Sequence, residues 1–369
     1  MSKIVSSEAF SDFFCQDIPF LDVRAPCEFS RGAFPNTTNL PLLSDSEREA
    51  VGTVYKKNGK SAAIALGHHL VNAEAKERLL VSWMDYMNTS PNAVLFCQRG
   101  GLRSQTVQTW LAEAGCTIVR AQGGYKSLRR HLIDATDQFA SSGQLVLVAG
   151  KTGSGKTHFI NSLPCSIDLE GLANHRGSAF GRRVSPQPSQ ASFENALGIA
   201  LIKTTGQTSS VVAVEDESHA IGSLSIPHKF HRAMKEAPIV LIEETLESRI
   251  KTIHLDYIQS NYQEFRQQDT AQADSAFLSF LLDSLDRIKN RLGSEKYSLV
   301  KTLMEDALKQ QFSTGTLEPH ELWIGELLQN YYDPMYEYQL SKKAGRIVFR
   351  GEKQQIRHWL ASQAEKVDS

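Results

Sequence analysis

A chain of 369 residues is too long for one ordinary core, and a hydrophobic fraction of 41% supports full globular folding into two or three domains. A formal net charge of −1 excludes nucleic-acid binding by a bulk basic field, so an RNA partner has to be met by a local patch. The five cysteines, Cys15, Cys27, Cys97, Cys116 and Cys165, contain no C-x-x-C pair, which excludes a disulfide framework and a zinc site and sets the expectation of a reducing cytoplasm.

The start Met1-Ser2-Lys3-Ile4-Val5 carries no charged-then-apolar signal, and no apolar run approaches the length of a membrane helix, so no membrane is expected. From about residue 18 to 140, short apolar strands alternate with amphipathic helices, the rhythm of an open α/β sheet. In order these are a strand at 20–23, a long helical stretch at 61–87, a strand at 93–96, a helix from Ser104 to a C-cap at Gly115, a strand at 117–119, and a helix opened by Gly123-Gly124-Tyr125. The small polar run 140–144 is the expected linker, dividing residues 1–139 from 140–369. A second α/β unit begins with the strand 145–149. The apolar runs 211–214 and 239–242 extend it to a parallel sheet of at least three strands. Residues 250–307 read as a charged helical insertion with Arg287, Lys289, Arg291 and Lys296 clustered near one end, a pattern that also fits a solvated helix face. A strand at 347–349 and a helix from Glu352 close the chain.

Cys97 lies directly after the strand at 93–96, in the loop Cys97-Gln98-Arg99-Gly100-Gly101-Leu102-Arg103-Ser104 that opens a helix. Backbone N–H groups and a helix N-terminus aimed at the sulfur favour its thiolate. Arg99 and Arg103 add positive charge, while Gly100 and Gly101 allow backbone conformations that a side chain forbids. Cys97 is therefore the candidate catalytic residue.

The run Gly150-Lys151-Thr152-Gly153-Ser154-Gly155-Lys156-Thr157 follows the strand at 145–149 and completes G-x-x-x-x-G-K-[ST]. Backbone N–H groups around Gly150, Gly153, Ser154 and Gly155 are expected to wrap a phosphate, with Lys156 neutralising it and Thr157 placed to ligate Mg²⁺. No metal site is otherwise assigned. The motif specifies a phosphate, not ATP. Glu215 and Asp216, at the end of the strand 211–214, stand where P-loop proteins place the carboxylate that holds metal-bound water. The stretch 169–183 mixes glycine with cations and suits a loop closing on a phosphorylated or nucleic-acid ligand through His175, Arg176 and Arg182. Tyr331, Tyr332, Tyr336 and Tyr338, followed by Lys342, Lys343 and Arg346, offer stacking surfaces for unpaired bases or an apolar chain, and fit core packing equally.

The run Leu21-Asp22-Val23-Arg24-Ala25-Pro26-Cys27-Glu28-Phe29, with Gly32-Ala33-Phe34-Pro35-Asn36, Asn39-Leu40-Pro41-Leu42 and the Cys97 loop, resembles the rhodanese family over about the first 137 residues. That resemblance implies a rhodanese-like fold that carries sulfur or selenium on Cys97 as a persulfide or perselenide, with Asp22 and Arg24 as an ion-paired scaffold. Relatives with a longer loop are phosphatases, and Cys97 to Arg103 also fits their C-x5-R formula.

Together with the phosphate loop, the segments Asp168-Leu169-Glu170-Gly171-Leu172-Ala173, His175-Arg176-Gly177-Ser178-Ala179-Phe180-Gly181, Gln190-Ala191-Ser192-Phe193-Glu194-Asn195, Glu215-Asp216-Glu217-Ser218 and Tyr332-Asp333-Pro334-Met335-Tyr336 resemble the bacterial tRNA 2-selenouridine synthases almost end to end. What that family implies is a two-step change at the tRNA wobble uridine. Geranyl diphosphate places a geranyl group on the sulfur of 2-thiouridine, and selenium from selenophosphate then replaces the S-geranyl group. The loop of Lys156 is the expected seat of the diphosphate, and Cys97 the carrier or nucleophile for selenium. Two other readings compete: an ATP-dependent tRNA sulfurtransferase delivering a persulfide from Cys97, and a nucleotide-regulated binding module whose first half is inert.

Overall fold

The computed structural model describes residues 3–205 and 211–367, so Met1 and Ser2 of the N-terminal reading lie outside the described residues. The chain forms two compact units: the first runs to Gln138 and includes the helix Gln190–Thr205, and the second comprises the rest. The sequence division at 139/140 places Gln190-Ala191-Ser192-Phe193-Glu194-Asn195 in the second domain. Instead this helix packs in the first unit, where Asn195 donates to the Ala33 carbonyl at 2.9 Å, Arg129 donates to the Asn195 side chain at 2.9 Å and pairs with Glu194, and Ile199 joins a phenylalanine core.

The first unit holds a five-stranded parallel sheet in the order β1-β5-β4-β2-β3, with β1 Ile4–Val5, β2 Phe20–Asp22, β3 Thr37–Asn39, β4 Val94–Phe96 and β5 Val119–Ala121. Strands β2 and β4 are buried at every position, as expected for inner strands of a parallel sheet covered on both faces. Alternation then sorts the side chains. Phe20, Val94 and Phe96 face a core with Phe10, Phe14 and Phe34, while Leu21, Leu95 and Cys97 face one with Trp83, Val107 and Leu111. Cys97 thus emerges on the Trp83 face, between strands whose connections depart in opposite directions, the usual position of a site in an open α/β sheet.

Two helices replace the single stretch expected at 61–87. The first, Asp45–Leu70, starts at a capping box in which Ser44 accepts from the Glu47 N–H, and it kinks at Gly59, where φ is 84°. The second, Ala73–Thr89, starts at Asn72, whose side chain accepts from the Ala75 N–H at 2.9 Å. The expected linker is largely helical too: Gly124–Ser142 runs through most of it, because Ala140, Ser141 and Ser142 continue the helix until Gly143.

The second unit holds a five-stranded parallel sheet in the order β12-β11-β6-β8-β7, with β6 Leu145–Gly150, β7 Ser166–Ile167, β8 Val212–Glu215, β11 Ile239–Ile242 and β12 Ile347–Gly351. A separate antiparallel pair, β9 Ala220–Ile221 and β10 Leu224–Ser225, lies outside it. The helical region between β11 and β12 has its own core around Phe277, Leu281, Leu285, Met304, Trp323 and Leu327, with Phe180 stacked on Trp323 at 5.9 Å. Two wide π-helical turns, His254–Ser260 and Leu328–Tyr332, interrupt those helices. Among the described residues no helix is long and apolar enough to cross a membrane.

Candidate active sites

Cys97 is 3% exposed, its Sγ 3.2 Å from the Ser104 hydroxyl and 4.0 Å from the Gly101 carbonyl. The loop is held from behind: Tyr125 N–H donates to the Cys97 carbonyl at 2.9 Å, Lys126 N–H to the Gln98 carbonyl at 3.1 Å, and Arg120 to the Gly100 carbonyl. The fit leaves no room for side chains. A Cβ on Gly124 (φ 59°) would fall 2.0 Å from the Cys97 carbonyl, and one on Gly100 (φ 61°) 2.7 Å from the Gly123 nitrogen.

Asp22 and Arg24 form a buried ion pair at 2.7 Å, and the guanidinium also donates to the Gly32 carbonyl at 2.7 Å and stacks 3.9 Å from the Tyr125 ring centre. Of the two loop arginines, Arg99 is exposed beside the sulfur's cavity. Arg103 instead donates to both carboxyl oxygens of Glu28, at 2.5 and 3.1 Å. Burial alone would raise the Glu28 pKa, but Arg103 more than reverses it and holds the carboxyl below its ordinary value. The positive charge expected from Arg103 is thereby paired off.

The phosphate loop follows β6, the middle strand of its sheet. Lys156 Nζ donates back to the Gly150 carbonyl at 2.8 Å, and the Ser154 hydroxyl is buried without a hydrogen-bond partner. Gly153 (φ 82°) passes so close to the Arg249 backbone that a Cβ would sit 2.7 Å from its carbonyl oxygen. Arg249 itself donates to the Thr152 carbonyl at 2.9 Å and grips Asp333 through two nitrogens at 2.9 and 2.5 Å, while Lys151 reaches Asp333 at 3.4 Å and Glu337 at 2.7 Å. This lattice ties the loop to the helix Asp333–Ser341.

Beyond the loop opens a cleft of about 970 Å³. Lys156, Thr157, Glu170, Arg176, Asp216 and Glu217 are among its polar lining residues, and Ile253, Tyr257, Ile288, Tyr331, Tyr332, Met335, Tyr336 and Leu340 supply its apolar and aromatic lining. The tyrosines come from the two π turns and the helix that follows the second, so Tyr331 and Tyr332 serve both the helical core and the cleft wall. Thr157 donates to Glu170 at 2.9 Å, and the Glu170 and Glu217 carboxyls are hydrogen-bonded to each other. Burial, followed by the charge of Glu170, pushes Glu217 up to about 8.

Several expected positions are corrected. Glu215 does not line the cleft: it is fully buried, accepts the Leu169 N–H at 2.9 Å, and is pushed well above its ordinary pKa by burial and by Asp168 and Glu170. A tight turn, Glu217 N–H to the Glu215 carbonyl at 2.9 Å, carries Glu217 into the cleft instead. Asp216 does line the cleft, but Lys343 clamps it at 2.7 and 2.8 Å. Arg176 faces the cleft, donating to Asn261 at 2.6 Å and lying 5.0 Å from the Tyr257 ring centre. His175 is buried, accepts the Gly177 N–H, and has its pKa lowered by burial and by Arg182 and Arg287. Arg182 pairs with His175 in a backbone bridge and is exposed, outside the cleft lining. Alternation puts Arg183 there in its place. Arg287 and Arg291 of the cationic cluster also line the cleft. Among the described residues no group of three or more His, Cys, Asp and Glu is arranged to hold a metal ion.

Residues 143–367 match the model of the tRNA 2-selenouridine synthase AAA domain. The chain is 44% identical over 363 residues to the tRNA 2-selenouridine synthase of Marinobacter nauticus, covering 98% of this chain and 99% of that one. It belongs to the tRNA 2-selenouridine synthase family. The Shewanella oneidensis relative of the same description is 45% identical over 360 residues, 97% of this chain and 96% of its own length. A solved N-terminal domain from Clostridium difficile 630 matches 36% of this chain and 99% of its own at 28% identity, but with a TM-score of 0.32 the superposition is too loose to argue from. The protein is accordingly an enzyme, and its second unit an AAA-type domain carrying the phosphate loop.

Proposed function

We propose that this enzyme converts the wobble 2-thiouridine of tRNA to 2-selenouridine in two steps at two sites, using geranyl diphosphate and then selenophosphate. In the first step the thiocarbonyl sulfur attacks C1 of the geranyl chain, the C–O bond breaks, diphosphate leaves with the electron pair, and the base loses its N3 proton. In the second, the selenium of selenophosphate attacks C2, a C2–Se bond forms and the C2–S bond breaks, expelling the geranylthiolate, and hydrolysis of the P–Se bond then releases phosphate and leaves the selenated base. The first step turns a poor leaving group into a good one.

The observation that carries this reading is the composition of the cleft, where a phosphate cradle around Lys156 adjoins a wall of Ile253, Tyr257, Tyr332, Met335 and Leu340. A diphosphate bearing an apolar chain matches both sides of such a cleft. Mg²⁺ accompanying the diphosphate fits the Thr157 hydroxyl, a hard oxygen donor beside the cradle. The first unit we read as rhodanese-like, with Cys97 handling selenium, a reading supported by the strand-loop-helix setting of the thiol and the Asp22–Arg24 scaffold. The expected compartment is the cytoplasm.

The test is nucleoside mass spectrometry after the enzyme meets 2-thiouridine anticodon RNA with geranyl diphosphate, then selenophosphate, without ATP. Geranylated and then selenated uridine is the expected sequence of products. A nucleoside that stays unchanged until ATP is added would overturn the reading in favour of an ATP-dependent sulfurtransferase.

A further inference from the structure

The first unit contains a groove of about 570 Å³ with Cys97 in its wall. Leu42, Val51, Ile64 and Trp110 give it apolar lining, and two further lining side chains stand largely in water: Tyr55 is 58% and Leu102 46% exposed. Apolar surface left open beside a buried nucleophile is a ligand surface rather than unfinished packing. Arg48, Lys56, Lys60 and Arg99 also line the groove. The acidic residue among the lining residues, Glu28, is neutralised by Arg103 at 2.5 Å and Arg48 at 3.8 Å. A lining that combines apolar and cationic side chains calls for an occupant that is a hydrocarbon at one end and a polyanion at the other.

We propose that this groove is a second substrate subsite, which holds the S-prenyl substituent of a prenylated nucleotide while C2 of the base faces Cys97 and the cations take the flanking phosphates. The inference rests on the two-step reading above and adds a place where the second step recognises its substrate. Burying the chain beside Cys97 makes selenation selective for the prenylated base, because unmodified 2-thiouridine forfeits that apolar contact. The order of the two steps is then enforced by binding.

Gly52 sits in the helix Asp45–Leu70 and lines the groove, and a Cβ there would meet no atom within 4 Å. Gly52→Trp adds bulk at this lining position without a clash at its Cβ, and replacing a helical glycine favours the helix. Glu49→Trp, at an exposed position of the same helix outside the groove lining, is the control. Selenation is measured on anticodon RNAs carrying S-geranyl- or S-methyl-2-thiouridine. The expected result is a KM for the S-geranyl RNA raised roughly tenfold or more in Gly52→Trp, with the S-methyl RNA near wild type in that variant and both RNAs near wild type in Glu49→Trp. Equal slowing of both RNAs, or of neither, overturns the groove assignment alone. A wild-type enzyme that leaves S-geranyl RNA unselenated overturns the two-step reading, and this inference with it.

Discussion

Cys97 and the phosphate loop each follow the middle strand of a five-stranded parallel sheet, but the side chains gathered around them differ in origin and in charge. Around Cys97 the ion pairs are closed off: Asp22 with Arg24, Glu28 with Arg103. The cleft beyond Lys156 instead keeps a pair of carboxyls, Glu170 and Glu217, both pushed above their ordinary pKa by burial, and draws its aromatic wall from helices far along the chain. One fold principle therefore places both sites, while distant residues decide what each can bind. If the two sites divide the chemistry, each is separable by mutation.

The largest separation is expected from Cys97→Ser, which should slow selenation by more than roughly a thousandfold while geranylation stays near wild type, read by nucleoside mass spectrometry of each step. Next comes Lys156→Ala. Geranylation should fall on the order of a hundredfold or more, with selenation of pre-geranylated RNA retained, and the opposite pattern would show that the diphosphate belongs elsewhere.

A third change probes the lattice behind the loop. Arg249 is 2% exposed, and removing its guanidinium leaves the Asp333 carboxylate paired with Lys151 alone. Arg249→Met should cost about 3 kcal/mol in the stability of the second unit by denaturant titration. The smallest effect concerns protons. Because Glu217 is raised from 4.5 to about 8, the folded chain binds a proton through that window that the unfolded chain has released, so stability falls as pH rises across it. Glu217→Gln should flatten that slope in Tm measured across the window, and an unchanged slope would show that the pair holds no such proton.

What the sequence revealed follows the same division. The phosphate loop and the Cys97 loop were legible because each is a contiguous run after an apolar strand, where local chemistry and chain order coincide. The aromatic wall was legible only in part. Tyr331, Tyr332 and Tyr336 stood out as a stretch, but Tyr257 comes from a π turn that leaves no periodic signature. Arg183 was missed in favour of Arg182, a one-residue error that strand alternation turns into opposite faces. Glu217 was passed over for Glu215 because the tight turn after β8, closed by the Glu217 N–H on the Glu215 carbonyl, breaks the strand alternation on which the choice of face rested. The helix Asp45–Leu70, whose residues are mostly exposed and which contains Gly52, Gly59 and Gly67, offered no strong apolar stripe, so the groove beside Cys97 was invisible before the fold was known.

The measurement that tests the two-site division most directly is a relay. Anticodon RNA with 2-thiouridine is treated with Cys97→Ser enzyme and geranyl diphosphate, re-isolated, and passed to Lys156→Ala enzyme with selenophosphate. The account predicts S-geranyl-2-thiouridine after the first enzyme and 2-selenouridine after the second, although neither variant alone completes the conversion. A geranylated RNA that the second variant leaves unselenated, while wild-type enzyme converts it, would contradict the division of the two steps between the two sites.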